Sequence, residues 1–177
     1  MSIPMVEKIG SGNWLQWNRD WFVRKVPDCR VEMLTSAHDY ILADIHELSF
    51  SRGWSPEDFE RLLTDKTVIA DGLFIGKFPD PQGFVISRQI EDESEIITIA
   101  LAPSVRQKGL SRKLLDAHLD VLRHRGVCRV FLEVDENNFA ALALYQRLGF
   151  KQTGIRKGYY RYPDGRSASA LMMKAEI

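Results

Sequence analysis

Cysteine is scarce in this chain. The two that occur, Cys29 and Cys128, lie far apart and outside any Cys-x-x-Cys spacing. That argues against a disulfide framework or a dithiol redox motif, and it predicts two free thiols in a reducing compartment. Long apolar runs are missing too: nothing approaches the roughly 18 residues that a membrane-crossing helix needs. The N-terminus lacks the basic start and apolar core of a secretory signal, so the cytoplasm is the expected location. The four histidines (His38, His46, His118, His124) show no metal-ligand spacing with cysteines or acids, and no metal is expected. Net charge is absent as well, because 24 Lys and Arg balance 24 Asp and Glu. The broad positive field of a nucleic-acid-binding protein is therefore not expected. There is no internal repeat and no low-complexity segment.

What remains is a chain of 177 residues, 45% hydrophobic and 27% charged, which suits one soluble domain with a substantial core. Residues 1–28 stand apart as a Trp-rich extension. Trp14, Trp17 and Trp21 fall at helical spacing beside Leu15 and Phe22. They read as an extra helix packed on the main domain, or as a surface for a partner.

Residues 29–177 read as the main domain. A strand over 29–35 precedes a helix over 36–50. A second helix starts at Ser55, with Ser55 as N-cap and Pro56 in the first turn. Strands follow over 67–75, 83–90 and 95–101, the last nearly all apolar, as in a strand buried on both faces. The acidic run 91–95 reads as a solvated turn. A helix over 109–124 places Leu110, Leu114, Ala117, Val121 and Leu122 on one face, with His118 among them as a satisfied core histidine. A strand over 128–134, a short helix over 137–149 and a closing strand pair across the turn 162–166 complete the chain. This order predicts an α/β domain: a mixed central sheet with helices on both faces.

The hexapeptide "RQKGLS" (106–111) sits where a strand ends and a helix begins. Backbone N–H groups at a helix start lack intrahelical partners and carry partial positive charge, so they can hold a phosphate. Gly109 lets the backbone come close to such a ligand. Alone, the hexapeptide reads more readily as a solvated loop-to-helix junction.

The stretch "ITIALAPSVRQKGLSRKLL…LEVDENNFAALALYQRLGF" resembles the GNAT acyltransferases, over about 36–173. Arg106, Gly109 and Ser111 occupy the three positions of that family's R/Q-x-x-G-x-G/A turn, with Ser111 in place of the usual Gly or Ala. Within the superfamily, "LEVDENNFAALALYQRLGF" and "IRKGYYRYPDGR" resemble the bacterial ribosomal-protein-alanine N-acetyltransferases. The resemblance implies the GNAT fold, with acetyl-CoA as co-substrate. It also implies transfer of acetyl to the N-terminal α-amine, with Ala first, of a small-subunit ribosomal protein, and no contact with nucleic acid or membrane. It implies Glu133 as general base and Tyr145 as general acid. Ile99, Ala100 and Leu101 would line the pantetheine arm, and Asn138 would contact the coenzyme. Arg106, Gln107, Lys108, Gly109, Leu110, Ser111 and Arg112 would form the pyrophosphate turn. Trp54 is a candidate acceptor contact, and Tyr159 and Tyr160 either line the acceptor groove or pack the sheet edge. Glu47, Glu57 and Asp58 would attract a basic protein. The chain departs from the pattern in its extension and at Ser167 and Ser169, near where the family often carries an acid.

The chemistry agrees with these residues. An α-amine, with a pKa of about 7.7–8.0, is partly neutral at pH 7, whereas a lysine near about 10.4 is not. One carboxylate thus suffices as base for an N-terminus, and burial at the end of an apolar strand would sharpen Glu133 for that role. A tyrosine of pKa about 10 is a modest acid for a thiolate, and hydrogen bonding to the developing charge contributes beside full proton transfer. Acetylation of a lysine or of a small amine is the alternative reading.

Overall fold

The computed structural model describes residues 28–161, 165 and 167–177. The Trp-rich helix expected over 13–22, and most of the turn 162–166, lie outside the described residues. Strand β1 (Cys29–Met33) leads through a 3-10 turn at Ser36–His38 into helix α1 (Asp39–Glu47), and helix α2 (Pro56–Thr64) follows. The helix expected over 36–50 is therefore shorter, and its first turn is wound more tightly. α2 begins as its sequence predicts: Ser55 Oγ accepts from the Asp58 N–H at 3.3 Å, and Ser55 N–H donates to Asp58 Oδ2 at 3.0 Å. Three strands come next, β2 (Val68–Ile75), β3 (Gly83–Ile90) and β4 (Glu93–Leu101), then helix α3 (Leu110–His124). β5 (Arg129–Asp135), helix α4 (Phe139–Arg147), β6 (Lys151–Arg161) and β7 (Ser167–Glu176) end the chain.

The seven strands form one sheet in the order β1-β2-β3-β4-β5-β7-β6. Among the described residues, only the β4–β5 contact is parallel, with α3 as its crossover. Strand alternation sends side chains to two separate cores. On one face, Leu110, Leu114, Leu115, Leu119 and Leu122 of α3 pack on Ile69, Val85, Ile96, Val130, Leu132 and Met173. On the other, Leu42 and Ile45 of α1 and Phe59 of α2 pack on Ala70, Phe74, Phe84 and Ile86.

Two expectations need correction. Val121 is not in the buried stripe of α3 but 37% exposed, and Leu115 and Leu119 take the core positions instead. β4 is buried on both faces only toward its end, because Glu93 and Glu95 are exposed at its start. His118 is fully buried, as expected of a satisfied core histidine. Its Nδ1 lies 2.6 Å from Asp71 Oδ2 in β2 and its Nε2 lies 2.9 Å from Ser87 Oγ in β3. This buried chain pins α3 to the sheet at a fixed height.

Candidate functional site

The site grows from a defect in the sheet. β4 and β5 pair from Glu93 opposite Arg129 to Ile96 opposite Leu132, and there the ladder stops. One residue further on, β4 carries an extra residue against β3: Ile86 faces Thr98 while Ser87 faces Ile96, so Ile97 has no opposite number. Such a bulge bends and twists its strand. β4 swings away with β3, which stays paired to it through Leu101, while β5 continues to Asp135 alongside β7. The two middle strands therefore part like a V. Ile99, Ala100 and Leu101 stand on one arm of it, with Glu133 on the other.

β4 exits through a 3-10 turn at Pro103–Val105 into the expected phosphate turn. Gln107 has φ 60° and Gly109 has φ 75°, both left-handed. These reversals turn the chain directly into the 15-residue helix α3. Gly109 is its N-cap and offers no side-chain oxygen to the first amides. A Cβ at Gly109 would meet no atom within 4 Å, so the space over the turn is open. Arg106, Lys108 and Arg112 are exposed around it. Arg112 is paired with Asp116 at 3.3 Å, and Lys108 Nζ donates to the Ser104 carbonyl at 2.9 Å. Uncapped amides, a positive surround and open space fit a phosphate group.

The predicted acid and base lie on opposite faces. Val130, Leu132 and Val134 of β5 enter the α3-side core, so Glu133 between them points to the α1–α2 side. Tyr145, the buried residue of α4, is 6% exposed within the α3-side core, with its ring 5.8 Å from that of Phe150. The V between β4 and β5 is the opening through which groups on the two faces can address one reacting centre. Glu133 is not enclosed by apolar residues, as its strand suggested. Its side chain is 21% exposed, and Oε1 accepts from Arg156 NH1 of β6 at 2.8 Å. The carboxylate in turn holds the Arg156 guanidinium charged, above its ordinary value. Arg156 also lies 4.5 Å over the ring of Tyr159. A sequence reading had no means to find this arginine as the partner of Glu133, because the pair spans 23 residues and crosses β7.

The remaining candidates scatter around this frame. Asn138 is the N-cap of α4, its Oδ1 accepting from Ala141 N–H at 3.1 Å. Tyr160 stands in β6 opposite Ala168. Trp54 is half-buried, stacked 4.6 Å from the His46 ring, which Phe50 covers at 4.2 Å on its own side. Trp54 N–H donates to His46 Nδ1 at 3.2 Å, and burial lowers the His46 pKa to about 4. Trp54 also lines a cavity of about 410 Å³ with Ala43, Asp44, Glu47, Gly53, Ser55 and Pro56. Ser169 has no acid at its own position, but Glu136 supplies one: its Oε1 accepts from Ser169 N–H at 2.6 Å. Arg106 departs from its expected place. Its guanidinium donates to the carbonyls of Leu101 and Leu48 and to Ser49 Oγ.

Among the described residues, no three His, Cys, Asp or Glu side chains converge as metal ligands, and no helix is long and apolar enough to cross a membrane.

Comparison with known proteins agrees with this geometry. Residues 40–150 match the acetyltransferase (GNAT) family. The chain is 42% identical over 89 residues to the ribosomal protein bS18-alanine N-acetyltransferase of Escherichia coli (strain K12), covering 50% of this chain and 60% of that protein. It thus spans about 60% of the length of the first curated relatives it matches. It is 39% identical over 124 residues to the protein of the same name from Salmonella typhimurium (strain LT2), covering 67% of this chain and 78% of that one. The crystal structure of the ribosomal-protein-S18-alanine N-acetyltransferase from Escherichia coli superimposes with a TM-score of 0.78 at 29% identity, covering 85% of this chain and 94% of that one.

Proposed function

This chain belongs to the GNAT acetyltransferase family, and we propose that it transfers acetyl from acetyl-CoA to the N-terminal α-amine of a protein. The proposed acceptor begins with alanine and is a small-subunit ribosomal protein, which would place the enzyme in the cytoplasm. The observation that carries this reading is the parted β4–β5 pair, with an open phosphate turn at one end and a carboxylate on the far face. The names of the relatives that match the chain support the choice of acceptor.

Acetyl-CoA supplies an activated acyl group as a thioester. Gln107 to Arg112 would hold its pyrophosphate through backbone amides, Ile99 to Leu101 would line its pantetheine arm, and Asn138 would contact it from the start of α4. Glu133 takes one proton from the acceptor amine. Arg156 donates to Oε1 of that carboxylate at 2.8 Å and holds it in place for the transfer. Tyr145 steadies or protonates the departing sulfur from the α3 side. Trp54, Tyr159 and Tyr160 border the acceptor's approach. The catalytic domain would be 29–177, with 1–28 as an extension.

The test compares two peptides. One begins Ala-Arg with a free N-terminus; the other is identical but N-blocked, with a free internal lysine. Thiol release with the first should be much the faster. The lysine is disfavoured by roughly 2.5 pKa units, about 3.4 kcal/mol of extra deprotonation cost. Equal rates would replace this reading with a lysine acetyltransferase.

A further inference from the structure

The guanidinium of Arg106 leaves the phosphate turn and reaches across to a different part of the fold. Its Nε donates to the Leu101 carbonyl at 2.8 Å, at the tip of the free arm of β4. Its NH2 donates to the Leu48 carbonyl at 3.2 Å and to Ser49 Oγ at 2.8 Å, 58 and 57 residues away. Leu48 is the C-cap of α1, where helix carbonyls lack partners and a cation is favoured. Ser49 Oγ donates onward to the Ile45 carbonyl at 2.6 Å, so the bond is anchored inside the last turn of α1. Beyond Ser49 runs the 50–55 segment, held on its own side by Phe50 and Trp54 stacked on His46. That segment carries Trp54, proposed above to border the acceptor's approach.

We infer that Arg106 is a positioning residue that couples occupancy of the phosphate turn to the order of the acceptor-side loop 48–55. The Cα that carries this fork lies between a 3-10 turn and the left-handed Gln107. Any settling of the 106–109 backbone around an anion is transmitted to the end of α1. A planar guanidinium can satisfy three acceptors on two elements at once; a lysine ammonium has the charge without the fork. The coupling makes coenzyme and acceptor binding cooperative, with the coenzyme tightening the loop before the acceptor arrives. The inference rests on the proposed coenzyme site and on nothing about the identity of the acceptor.

Amide hydrogen exchange of the loop 48–55 tests it, with free CoA as the probe. In the wild type, saturating CoA should slow exchange there by about fivefold or more, the lower range of allosteric coupling. Arg106→Lys should bind CoA within about threefold of wild type, since the charge stays, yet show less than about twofold slowing. Ser49→Ala, which removes one contact outside the turn, should fall between. With the free Ala-Arg peptide as acceptor, Arg106→Lys should raise the acceptor KM about fivefold, a larger change than any in kcat. Slowing that persists in both variants overturns the coupling, as does a wild-type loop indifferent to CoA. So does an Arg106→Lys enzyme that loses its CoA affinity while its acceptor KM is unchanged, which would make the side chain a direct phosphate ligand. If no N-terminal peptide is acetylated, the proposed acceptor fails, while the exchange experiment still decides the coupling.

Discussion

Replacing Gly109 by alanine, with Gly126→Ala beside it, separates what the backbone demands from what a ligand demands. The two glycines flank the same helix, Gly109 as the N-cap of α3 and Gly126 just past its end. Their φ angles are 75° and 83°, both left-handed. Neither would bring a new Cβ within 4 Å of another atom. The cost to folding is therefore the left-handed penalty for an L-residue, about 1–2 kcal/mol, reduced by about 0.4–1 kcal/mol because alanine also restricts the unfolded chain. Both variants should lose about 1 kcal/mol and melt about 2–4 °C lower. Only Gly109 lies in the proposed phosphate turn. A methyl group there, with any relaxation of φ, disturbs amides that must converge on an anion. Calorimetric titration with acetyl-CoA should show about tenfold weaker binding for Gly109→Ala, equivalent to about 1.4 kcal/mol, and a change within about twofold for Gly126→Ala. Urea unfolding measures the shared backbone cost. Equal losses of affinity in the two variants, or none in either, would show that the turn does not hold the coenzyme.

Glu133→Gln should lower turnover by about 10²-fold without altering acetyl-CoA affinity, and the defect should shrink above pH 8 as the α-amine deprotonates itself. A defect constant to pH 9 assigns Glu133 to positioning instead. Tyr145→Phe keeps the packing on Phe150 and should cost at least about tenfold in kcat; an unchanged rate makes the ring purely structural. His118→Ala strands the Asp71 carboxylate, which is 4% exposed, and should destabilise by about 3–5 kcal/mol in urea. A loss below about 1 kcal/mol contradicts a network that pins α3. His46 has its pKa lowered from the ordinary 6.5 to about 4. Between those values the unfolded chain binds the proton and the folded chain does not. Stability should therefore fall as pH drops through that window, by up to about 3 kcal/mol, and His46→Gln should flatten that slope.

The order of elements was legible because each strand and helix carries its own periodicity and its own stop signals, such as Ser55 before α2 and Gly126 after α3. The turn into α3 was legible for the same reason: the six residues of the proposed phosphate site are contiguous. What failed to show was long-range. His118 reads as a core histidine from its helix alone, but Asp71 and Ser87 look like ordinary members of apolar strands until the sheet sets them under α3. The bulge at Ile97 is hidden because Ile96 and Ile97 are both apolar, so a slip of phase leaves no mark in the pattern. Val121 was misplaced because several apolar residues in α3 compete for one stripe, and only packing decides among them. Arg106 was read by its motif, while its side chain answers to α1, which no local signal connects to it.

The short β4–β5 ladder has a mechanical consequence. One sheet is in effect two leaves, β1 to β4 and β5 to β7, joined among the described residues along a short spine from Asp92 to Ile96. Beyond that spine the leaves are bridged by side chains alone, chiefly α3 lying across both. Wedging the leaves apart does not require tearing backbone hydrogen bonds, because they were never made. Such a hinge can open or close at the expense of repacking, not of unfolding.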